Sequence, residues 1–111
     1  PTGAELLADV TAHAIRHLQQ CPQDAGLYHL VAGGEVTWNG YAKFVIEHAS
    51  KAQSAIKIVA KEVAPVPTSA FPTPAVRPHN SRLNTSKLQT TFGLTLPHWQ
   101  AGVERMLTEI L

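Results

Sequence analysis

Five prolines fall between Pro65 and Pro78 of this 111-residue chain, and no other feature limits its fold as much. A proline has no backbone N–H and holds φ near about −65°, so neither a helix interior nor a central strand can pass through such a stretch. Residues 64–80 are therefore expected to form an ordered loop or a linker. The run PTPAVRPHNSRLNTSKL places two prolines ahead of Arg77 and a third directly after it. Proline also biases the residue before it toward extended backbone, so Arg77 loses conformational freedom before it meets any ligand. A guanidinium presents a planar fork of donors suited to phosphate oxygens, and fixing it in advance lowers the ordering cost of binding. Two readings follow: Arg77 serves an anion site, with Asn80, Ser81 and the cap at Asn84-Thr85 adding hydrogen bonds, or it sits in a structural salt bridge on an ordered surface crossing.

On either side of the loop the pattern is helical. Thr2 and Glu5 have the T-x-x-E spacing of a capping box, and Leu6, Val10, Ala14 and Leu18 repeat every fourth residue with Leu7 and Ile15 beside them. This predicts an amphipathic helix over residues 3–20, ended by Cys21-Pro22. Leu27–Ala32 reads as a short buried strand, broken by Gly33-Gly34. Thr37 is placed to cap a second helix with Tyr41, Ala42, Val45, Ile46 and Ala49 on its apolar face. Residues 56–63 alternate apolar and charged side chains and suggest an extended segment, and residues 81–84 suggest another short strand. A small helix, 87–92, is expected to close at Gly93, and Pro97 to open a last helix that buries Val103, Met106, Leu107 and Ile110. The pattern is α/β, and 111 residues allow one domain with a single core that buries roughly two thirds of its unfolded surface.

Charge and cysteine content exclude several partner classes. A net charge of +1 supplies no field to attract nucleic acid or a membrane surface, and no apolar run reaches the ~18 residues of a membrane span. With Cys21 alone, no internal disulfide forms, which suits a reducing cytoplasm. Residue 1 is a proline and a helix cap follows at once, so the chain is expected to be part of a longer one.

The usual catalytic and cofactor patterns are missing. His13 and His17 have the i, i+4 spacing of metal ligands, but no third ligand is evident and no glutamate lies between them, so solvent-exposed side chains are expected. Gly33-Gly34 follows an apolar run and precedes a helix, yet no G-x-G-x-x-G or phosphate-loop pattern passes through it; it reads as a turn. Cys21 has His17 four residues away, but only across a helix end that Pro22 terminates, and no nucleophile stands out.

Certain segments together carry a resemblance: Pro1-Thr2 with Glu5-Leu6-Leu7, Gly26-Leu27-Tyr28-His29-Leu30, Thr37-Trp38, the proline-arginine run, Phe92-Gly93 and Leu96-Pro97-His98-Trp99. The chain resembles, over essentially its whole length, the carboxy-terminal substrate-binding part of the dTDP-4-dehydrorhamnose reductase family, within the extended short-chain dehydrogenases/reductases. The resemblance implies a small substrate-binding lobe, residues 1–111, made of helices with a few short strands and cut from a larger Rossmann-type reductase. It implies NADPH bound by a dinucleotide-binding domain outside these residues, a dTDP-sugar substrate, a cytoplasmic location and a homodimer. Neither Tyr28 nor Tyr41 has a lysine four positions on, so the family's Tyr-x-x-x-K pair lies elsewhere and the fragment alone is expected to be inactive.

By the same resemblance Arg77 turns toward the substrate diphosphate, with Asn80 and Ser81 beside it, and Glu5 and Glu109 fall where acidic side chains meet a magnesium ion at the dimer interface. The residues themselves also allow simpler roles. Glu5 completes its capping box, and Glu109, facing the negative end of a helix dipole at a cost of about 0.3–1 kcal/mol, has Arg105 one turn earlier to offset it. A rival implication is a non-catalytic regulatory subunit of the same fold family, like the methionine adenosyltransferase β subunit.

Overall fold

The computed structural model describes residues 1–52 and 55–111. Four helices form in chain order: α1 (Ala4–Gln20), α2 (Trp38–Lys51), α3 (Ser86–Phe92) and α4 (Trp99–Ile110), with single 3-10 turns at Pro22–Asp24 and Thr68–Ala70. They pack as two pairs, α1 with α3 and α2 with α4.

Each pair has its own small core in place of the single core expected. In the first, Val10, Leu88 and Phe92 are buried, with Leu6, Ala14 and Leu18 of the predicted α1 stripe packed against them. In the second, Trp99, Val103 and Leu107 of α4 meet Tyr41, Phe44 and Val45 of α2. The Phe44 ring meets Trp99 edge-on at 4.9 Å. The buried stripe of α4 is thus 99, 103 and 107; Met106 and Ile110, expected inside, are 38% and 63% exposed. That register follows from Trp99, whose large ring fixes which face of α4 turns to α2.

Helix ends explain several boundaries. The Thr37 hydroxyl accepts from the Gly40 N–H at 3.1 Å, the N-cap expected, and Gly93 closes α3 in the left-handed region at φ 60°. The cap of α3 is supplied by Asn84, whose Oδ1 accepts from the Ser86 N–H at 2.9 Å. Pro97 does not occupy the first turn of α4. It precedes the N-cap His98, whose Nδ1 faces the Gln100 N–H at 3.4 Å.

The capping box at α1 is a correction. Gly3 is the N-cap with no side-chain cap bond, and the Thr2 hydroxyl accepts from the Ala32 N–H at 3.0 Å instead. A tertiary donor outcompetes the local one, and it ties the chain start to the segment that joins the two cores.

The lobe of helices stands as expected, and its short strands are a second correction: among the described residues the β pairing is an isolated parallel bridge between Gly33 and His98. Its bonds are Gly33 N–H to Pro97 O at 2.8 Å and Trp99 N–H to Gly33 O at 2.9 Å. In Leu27–Ala32, Tyr28 and Leu30 pack against the first core and Ala32 against the second, while Leu27 is 77% exposed and no strand among the described residues lies beside the segment. Residues 57–63 and 81–84 form no strand among the described residues, and Val59 is 74% exposed. A pattern of alternation specifies which side chains turn inward; a ladder also needs a second backbone.

Candidate functional site

The proline-rich loop is anchored to one edge of the second helix pair. Where the loop begins, the Asn39 side chain on α2 donates to Val63 O at 3.0 Å. Where it ends, Arg82 donates to Glu35 Oε2 at 2.8 Å, just ahead of α2. Between the two ties, a turn at Thr68–Ala70 and a bond from the Thr73 hydroxyl to Ala75 O at 2.8 Å shape the backbone. Residues 64–83 are exposed throughout, as a segment so poor in backbone donors must be if its carbonyls are to reach water.

Arg77 stands at the far part of this loop, beside the fully exposed Val76, and makes no hydrogen bond or ion pair among the described residues. The salt-bridge alternative for it is not the arrangement found; Arg82 holds the salt bridge. Asn80 is engaged locally, its Oδ1 accepting from the Arg82 N–H at 3.1 Å and from Arg82 Nε–H at 3.0 Å, which braces the backbone behind Arg77. Ser81 is exposed. Asn80 thus positions a neighbour, and like Ser81 and Arg77 it is exposed. A shallow hollow of about 290 Å³, lined by Leu6, Val10, His13 and residues 94–97, lies against α1 and does not include Arg77.

Glu5 and Glu109 flank one guanidinium. Arg105 Nε–H donates to Glu109 Oε1 at 3.0 Å, and that bond, with the charges of Glu109, Glu5 and Asp9, raises the Arg105 pKa above its ordinary value. The Glu5 carboxylate folds back over Gly3 and lies near Gly102 of α4. Three acids around Arg105 are a cation-attracting arrangement, and the cation they face is the protein's own.

His13 and His17 do not share a partner: His13 Nε2 is 3.1 Å from Phe92 O, and His17 Nε2 is 2.7 Å from Asp24 Oδ2. His13 is exposed as expected, whereas His17 is half-buried, its ring meeting Phe92 edge-on at 5.1 Å. The turn begun by Pro22 brings Asp24 back to the end of α1, so that His17, Cys21 and Asp24 come together. The spacing H-x-x-x-C-x-x-D was the signal, and reading Pro22 only as a terminator hid it.

The glycine pair does not make a cofactor site. Gly34 has φ 79°, and the space a Cβ would take there is filled by the His98 imidazole, leaving no cradle for a phosphate. This turn does not fit a dinucleotide's phosphates.

The loop is thus tied at both ends to the second helix pair and exposed between the ties. The chain belongs to the RmlD substrate binding domain family, whose model matches residues 1–111. It is 61% identical over 110 residues to dTDP-4-dehydrorhamnose reductase of Escherichia coli, which covers 99% of this chain and 36% of that protein. The reductase of Salmonella typhimurium is also 61% identical over the same shares, and that of Burkholderia thailandensis is 34% identical over 115 residues, covering 100% of this chain and 39% of the relative. The chain thus spans little more than a third of the length of these curated relatives. No helix among the described residues is long and apolar enough to cross a membrane.

Proposed function

We propose that this chain is the sugar-nucleotide-binding part of a dTDP-4-dehydrorhamnose reductase, which converts dTDP-4-dehydro-L-rhamnose to dTDP-L-rhamnose for bacterial polysaccharide synthesis. The observation that carries the reading is Arg77, held on a tethered, proline-stiffened loop with no anionic partner of its own among the described residues. Family membership supplies the ligand class, a nucleoside diphosphate sugar, and the guanidinium fork matches its phosphate oxygens. NADPH would supply the hydride from residues outside this chain, whose own work is to bind and orient: Arg77 on the diphosphate, with the Asn80 amide and Ser81 hydroxyl beside it. Glu5 and Glu109 are proposed to meet magnesium at a subunit interface of the full-length dimer, where the ion would take Glu109 from Arg105.

Arg77→Ala in the full-length enzyme tests the assignment. A charge-assisted contact made equally in the ground and transition states contributes about 1.5–3 kcal/mol, so KM for the sugar nucleotide should rise roughly ten- to hundredfold with kcat little changed. A large fall in kcat at unchanged KM would remove Arg77 from the diphosphate.

A further inference from the structure

We propose that His17, Cys21 and Asp24 form a binding site for a zinc-type divalent cation at the C-terminal end of α1. One ligand atom from each residue lies within 4.8 Å of the other two. In a tetrahedral zinc site, bond lengths of about 2.0–2.3 Å put ligand atoms roughly 3.4–3.6 Å apart, so the three side chains are within small rotations of that geometry. His17 Nε2 and Asp24 Oδ2, now 2.7 Å apart in a hydrogen bond, need to open by less than about 1 Å to admit an ion between them.

The surroundings hold the donors in place and favour positive charge. Cys21 is the C-cap of α1, its N–H bonded to His17 O at 2.9 Å, and Asp24 N–H returns to Cys21 O at 3.0 Å, so one short hydrogen-bonded loop carries all three ligands. The His17 ring is fixed at its edge by Phe92, and the Asp24 carbonyl accepts from the Tyr28 hydroxyl. The last carbonyls of a helix are the negative end of its dipole and attract a cation. All three residues are half-buried, which leaves a fourth coordination position open to water or a ligand.

Donor chemistry selects the metal. One thiolate, one imidazole and one carboxylate suit zinc and its tetrahedral substitute cobalt; magnesium prefers oxygen alone. Binding requires loss of the Cys21 proton to solvent, so it should release acid. The proposal is independent of the reductase reading and of the acids around Arg105.

The test is titration of chelator-stripped full-length protein with Co²⁺ alone, followed by displacement with Zn²⁺. One equivalent should produce a thiolate-to-cobalt charge-transfer band that Zn²⁺ removes and Mg²⁺ does not. Cys21→Ser should abolish the band, and Asp24→Asn and His17→Gln should each weaken Co²⁺ binding by more than the roughly 10–100-fold that loss of an outer-shell partner costs. Far-UV circular dichroism of each variant separates loss of a ligand from loss of the fold, and Asp24→Asn keeps the backbone carbonyl that Tyr28 uses. No band, a band that survives Cys21→Ser, or unchanged affinity in folded Asp24→Asn and His17→Gln overturns the site.

Discussion

Gly34 and Gly93 both have positive φ, 79° and 60°, yet they differ in what surrounds the missing Cβ. At Gly93 nothing lies within 4 Å; at Gly34 the His98 ring fills the space. Gly93→Ala should therefore cost only the left-handed backbone penalty, about 1–2 kcal/mol. Gly34→Ala adds displacement of the ring that caps α4, worth about 1 kcal/mol more. Urea unfolding should rank Gly34→Ala below Gly93→Ala, and His98→Ala should reduce the further cost of Gly34→Ala, because the two residues share one space. Equal midpoints for the two alanine variants would mean that the ring moves freely. Legibility at this scale depended on whether a residue's partner is near in sequence. The glycine turn and the C-cap at Gly93 were visible. The His98 ring over Gly34 was not, nor was Thr2 choosing the Ala32 N–H over its own helix, because each joins positions thirty or more residues apart.

Helical elements were the most readable because their signal is periodic and their caps are local. The Leu6, Val10, Ala14, Leu18 stripe of α1 and the Thr37 cap of α2 stand as the pattern implied. In α4, Val103 and Leu107 are buried as expected but Met106 and Ile110 are not, since Trp99 at its first position joins 103 and 107 on the face turned to α2. The apolar run Leu27–Ala32 suggested a buried strand without revealing that no neighbouring strand among the described residues pairs with it or that Leu27 is 77% exposed. Two threonines separate a cap from its look-alike. Thr37 accepts from a helix N–H, whereas the Thr85 hydroxyl accepts from the Gln89 side chain at 2.8 Å while Asn84 satisfies the helix start. Thr37→Ala should then lower stability by about 1 kcal/mol, and Thr85→Ala by only a few tenths. Thermal melts of the two variants, compared with Asn84→Ala as a positive control for α3, check this ordering.

Over the whole molecule, the surface is larger than a chain of this size requires. A folded protein of 12.0 kDa exposes about 6,000 Å² and 111 residues pack to a radius of gyration of about 13 Å. This chain exposes 8632 Å² and has a radius of 17.5 Å. Two cores of three buried residues each leave Leu27, Trp38, Val59, Val66 and Phe71 more than half exposed. The excess lies in the linking segments and the proline-rich loop, the same loop that presents Arg77. Under the proposed function, that apolar surface and the loop face the longer reductase, so each part would complete the other's pocket. Composition had indicated only that one core was affordable; how little of the apolar content is buried depends on long loops that no local pattern measures. The isolated 111-residue chain should accordingly bind a hydrophobic dye that the full-length enzyme does not. It should also bind dTDP more weakly than the full-length enzyme in calorimetry, and show no NADPH oxidation with dTDP-4-dehydrorhamnose. Turnover by the isolated chain would place the catalytic groups within these residues, and dTDP affinity equal to that of the full-length enzyme would mean that the anchored loop alone makes the nucleotide site.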